Sequence, residues 1–93
     1  MLRDDVLLRM IERMAEAVGA FLRGEGSAQE VEQEIQATTG LPLSVIDLLP
    51  ASQIVPPVDD PRVRRAKALA LAEALEALGR VEKAEALRRA VEA

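Results

Sequence analysis

Ninety-three residues, 49% apolar and 30% charged, are enough for one domain with a modest core. The chain has no Cys and no His, which excludes disulfides, thiolate metal sites and the carboxylate–histidine sets of helical di-metal proteins; with Tyr and Trp also absent, acid–base chemistry is left to Asp, Glu and the two lysines, Lys67 and Lys83. A net charge of −4 and a single aromatic residue, Phe21, argue against a nucleic-acid surface.

The first predicted element is a helix from Asp4 to Arg23. Its apolar positions from Val6 to Leu22 cover an arc of roughly 200° at 100° per residue, where a surface helix needs about 100°. Within the arc, Leu7, Ile11, Met14, Val18 and Phe21 follow the alternating spacing of a coiled-coil seam. These five are the candidate self-association face of a homodimer or larger symmetric oligomer. The alternative is a helix covered within the monomer, by the third helix on one flank and the C-terminal hairpin on the other. Charges recur from Arg3 to Glu16, and no apolar run approaches the ~20 residues that span a bilayer. With no secretory signal either, a cytoplasmic location is expected.

Gly24 and Gly26 end that helix, and Ser27 with Glu30 reads as a capping box opening a second helix that ends near Thr39 and Gly40. Its apolar stripe is thin: Ala28, Val31 and Ile35. Leu41 to Leu49 is short and apolar, with Pro42 at a first helical position and Pro50 beyond the end, which predicts a helix of two turns. Ala51 to Asp60 reads as a linker, extended at Pro56 and Pro57.

Asp60 and Pro61 supply the N-cap and first position of a fourth helix. It is built almost wholly from strong helix formers and ends at Gly79. A fifth helix follows from Val81. So short a connection makes the two antiparallel. Leu71, Leu75 and Leu78 fall on one side of the fourth helix, with Ala66, Ala70, Ala74 and Ala77 beside them. The expected fold is therefore all-α, a single domain of four to five helices. Residues 1–49 hold the N-terminal helices, 50–60 the proline-rich linker, and 61–93 the hairpin. Residues 1–40 hold four basic and eight acidic side chains, whereas residues 62–93 hold eight basic and five acidic, so the halves attract one another. Arg outnumbers Lys ten to two and Asn is absent, a bias of thermophilic or GC-rich sources.

The segment ALALAEALEALGRVEKAEALRRA resembles one degenerate tetratricopeptide unit. Leu71 and Ala72 stand at its L-G positions, Leu75 at its first Tyr, Gly79 at its interhelical turn and Ala84 at its small second-helix residue. Arg88 replaces the second aromatic, the closing Pro is missing, and there is one copy where about three are needed to bury a continuous core; a peptide-binding groove is not implied. The whole chain also resembles an uncharacterised family of small bacterial helical proteins, through DDVLLRMIERMAEAV, TGLPLSVIDLL and LAEALEALGRVEKAEALRRA in that order. That resemblance implies a helical fold and a bacterial source, and no activity.

Four cations at the start of the fourth helix, Arg62, Arg64, Arg65 and Lys67, are the candidate anion contacts. Cations there oppose the helix dipole, so their placement asks for a reason. Projection sends Arg62 and Arg65 one way and Arg64 and Lys67 nearly the other, which favours salt bridges to Asp59, Asp60 or the second helix's glutamates over a phosphate-tracking face. Glu12/Glu16 and Glu30/Glu34 are i,i+4 carboxylate pairs of a kind common on exposed faces, and no metal or cofactor is expected. Asp47, among Leu43, Ile46, Leu48 and Leu49, is the carboxylate expected to be partly buried. The function expected is a non-catalytic interaction or structural module that self-associates, not an enzyme. Nucleic-acid or phosphate binding through the cationic cluster is the first alternative, and a carboxylate-based metal enzyme the second.

Overall fold

In a computed structural model, which describes residues 4–54 and 60–92, the chain is all-α. Six helices follow in order among these residues: α1 (Asp4–Leu22), α2 (Ala28–Thr39), α3 (Leu43–Ile46), α4 (Ala51–Ile54), α5 (Pro61–Ala77) and α6 (Val81–Glu92). The boundaries follow local chemistry. The Ser27 hydroxyl accepts the Glu30 N–H at 3.2 Å, an N-cap bond that satisfies one orphan donor of the first turn of α2. The Asp60 carboxylate does the same for Arg62 N–H at 2.9 Å, one residue before Pro61. Between α5 and α6, Gly79 sits at φ 88°. There Arg80 N–H reaches Leu75 C=O at 2.8 Å and Gly79 N–H reaches Glu76 C=O at 3.0 Å, the paired bonds of a Schellman ending.

The middle of the chain differs from expectation. The apolar run after Gly40 makes one helical turn instead of two. Leu48 and Leu49 donate to carbonyls only three residues back, and Pro50, which has no N–H, continues nothing. The predicted linker in turn begins with a helical turn, α4, whose Ile54 is buried. The expected extended stretch at Pro56 and Pro57 lies outside the described residues.

The central helix is α5, flanked by α1 on one side and α6 on the other; α1 in turn packs on α2, and α4 on α6. Two neighbouring stripes of α5 are buried: Ala68, Leu71, Ala72 and Leu75, and beside them Val63, Lys67 and Ala74. Alanine makes this possible, because small side chains let helix backbones approach on both sides at once. Ala74 and Ala84 are fully buried, as close packing of the hairpin requires. The Cα radius of gyration is 12.2 Å, matching the roughly 12 Å of one compact domain of this length. Among the described residues, no helix is long and apolar enough to cross a membrane.

The seam along α1 is the chain's own core face. Met14 and Val18 are buried, and Phe21 packs against the same cluster; Ile11 is half-buried, and the Leu7 side chain lies outside the described set. Met14 and Val18 are covered within the chain, where α1 packs on α5 and α2.

Candidate functional site

Asp60 and Pro61 start α5 so that Arg62, Arg64 and Arg65 fall in its first turns, all exposed. Lys67 departs from the cluster: it lies on the buried stripe with Val63 and Ala74 and is only 5% exposed. Its burial lowers the pKa of the ammonium below the ordinary lysine value. The three arginines, which helical projection separates, line one shallow concavity of about 300 Å³ with Pro61 and Val91. They come together at the start of the helix, beside Val91 of α6.

Val91 explains why cations tolerate this place. In the antiparallel hairpin the last turn of α6 lies beside the first turn of α5, and cations are favourable near a helix C-terminus. The expected bridges to Asp60 and the α2 glutamates are not formed: Asp60 spends its carboxylate on the Arg62 N–H. Among the described residues the ion pairs are Arg23–Glu25, Arg80–Asp47, Arg88–Glu76 and Arg89–Glu85, and none engages Arg62, Arg64 or Arg65. Asp59 lies outside the described residues.

A second, more open concavity of about 680 Å³ runs along the start of α6, lined by Asp47, Pro50, Ala51, Arg80, Val81 and Lys83 among others. Asp47 is more exposed than its apolar neighbours suggest. Its two oxygens accept from Arg80 Nε at 3.3 Å and Nη2 at 3.2 Å, and this hydrogen-bonded carboxylate raises the Arg80 pKa above its ordinary value. Arg80 also donates to Leu78 C=O at 2.9 Å, and Lys83 Nζ donates to Leu49 C=O. Two cations thus tie the α3–α4 crossover to the hairpin, which makes this corner a structural joint. Arg88, standing where the tetratricopeptide pattern has an aromatic, reaches across the hairpin to Glu76 at 3.1 Å.

The carboxylate pairs on α1 and α2 stay apart. Glu12, Glu16 and Glu30 are exposed and Glu34 half-buried, and among the described residues no three carboxylates converge as a metal site would need.

One edge of the apolar arc predicted for α1, expected to be covered, is exposed. Leu8 is 46% and Leu22 69% exposed, with exposed Ala15 midway between them. The seven-residue interval was the signal: three apolar residues one heptad apart share a face, rotated from the buried seam. Comparison with protein-family models, curated proteins and solved structures finds no match to this chain.

Proposed function

We propose that this chain is a non-catalytic interaction module that associates with a second copy of itself through the outer face of α1. The observation that carries the reading is the exposed strip Leu8–Ala15–Leu22, which runs about 21 Å along a helix whose neighbouring face buries Met14 and Val18. Leu8, Ala15 and Leu22 stand at heptad spacing on one face of the helix, and an apolar face held in water favours a partner. A two-fold dimer is the commonest way to cover such a strip. The hairpin α5–α6 serves as a single tetratricopeptide-like unit built into the bundle, a reading supported by its Gly79 turn and by Ala74 and Ala84 at its packing surface.

Sedimentation at micromolar concentration tests the reading. The expected mass is twice the 10.1 kDa of one chain, and Leu8→Lys with Leu22→Lys should yield folded monomers, since both side chains already face solvent. A single-chain mass throughout the concentration range, or a dimer that the double substitution leaves intact, would refute it.

A further inference from the structure

We propose that Arg62, Arg64 and Arg65 form a binding site for one phosphate group carried on a small organic molecule. Three features point to it. The three arginines line a single open concavity of about 300 Å³, larger than a phosphate alone. None of the three is engaged by a described carboxylate within ion-pair distance, although Asp60 is adjacent and α6 ends beside them. The remaining walls, Pro61 and Val91, are apolar and suit the organic part.

The chemistry favours a phosphomonoester. Its charge at neutral pH is about −1.5 to −2, with three acceptor oxygens, and the planar guanidinium fork matches those oxygens two at a time. The α6 carbonyls offer only partial charges, which leaves most of the arginine donors free for a ligand. The site is a point, not a track: Lys67 is withdrawn into the core, and the only aromatic, Phe21, belongs to α1 and packs on the core. A polynucleotide would require a longer basic surface.

Titration of the full chain with phenyl phosphate and with inorganic phosphate, at fixed ionic strength, tests the proposal by NMR of the arginine Nε–H groups. Saturable shifts are expected at Arg62, Arg64 and Arg65, with phenyl phosphate the tighter ligand. Arg64→Gln and Arg65→Gln should each weaken binding by about tenfold, with the thermal unfolding profile confirming that each variant folds. Shifts that fail to saturate, or that appear equally at Arg9 and Arg13, would mean general screening and overturn the site. Binding to duplex DNA tighter than to phenyl phosphate, with a steep salt slope, would overturn it in favour of a nucleic-acid surface.

Discussion

Lys67 shows how one residue can be read correctly for charge and wrongly for place. In the sequence it completes a basic cluster; in the fold its four-carbon stem fills a position between Val63 and Ala74 on the buried stripe of α5. Long cationic side chains bury the stem and turn the charged head toward water; here burial strips part of that water and lowers the ammonium pKa. The folded chain therefore holds that proton less tightly than the unfolded chain, whose value is the ordinary 10.5. Below the folded-state pKa the destabilisation is fully present, and stability rises with pH between that value and 10.5. Lys67→Met should raise the melting temperature at neutral pH by about 4–8 °C, corresponding to about 1 kcal/mol. It should also abolish the alkaline rise, as thermal unfolding measured from pH 7 upward will show.

At the scale of elements, the hairpin turn carries a sharp requirement. An added Cβ at Gly79 meets nothing within 4 Å, yet φ there is 88°. Gly79→Ala should cost about 1 kcal/mol through backbone conformation alone, visible as a lower denaturant midpoint with an unchanged slope. Turns and caps of this sort were legible in advance: Ser27, Gly40, Asp60, Pro61 and Gly79 each name a helix end through a local bond or dihedral preference. The long helices were legible for the same reason, since propensity acts residue by residue. The partner of each face was not. The wide arc of α1 suggested a second copy, with a helix covered inside the monomer as the alternative; Met14 and Val18 are buried within the chain, and α5 became central because its alanines admit neighbours on two sides. Nor did the string show that Arg62, Arg64 and Arg65 share a hollow, because that hollow exists only once α6 returns to place Val91 beside Pro61.

For the whole molecule, the order of helices in space departs from their order in the chain. The layers run α2, α1, α5, α6, so α1 rests on an element encoded some forty residues after it ends. Without α5, α1 loses its most extensive neighbour and keeps only α2, and most of a helix's stability in a protein comes from the packing of its apolar face. A fragment comprising residues 1–54 should show little stable helix by circular dichroism, whereas the full chain should unfold in one cooperative transition. On a translating ribosome, α1 and α2 would emerge well before α5 and wait, at about 5–20 residues per second, for seconds with Met14 and Val18 uncovered. For that interval the nascent chain is a client for chaperones, and it becomes a stable protein only when the central helix clears the exit tunnel.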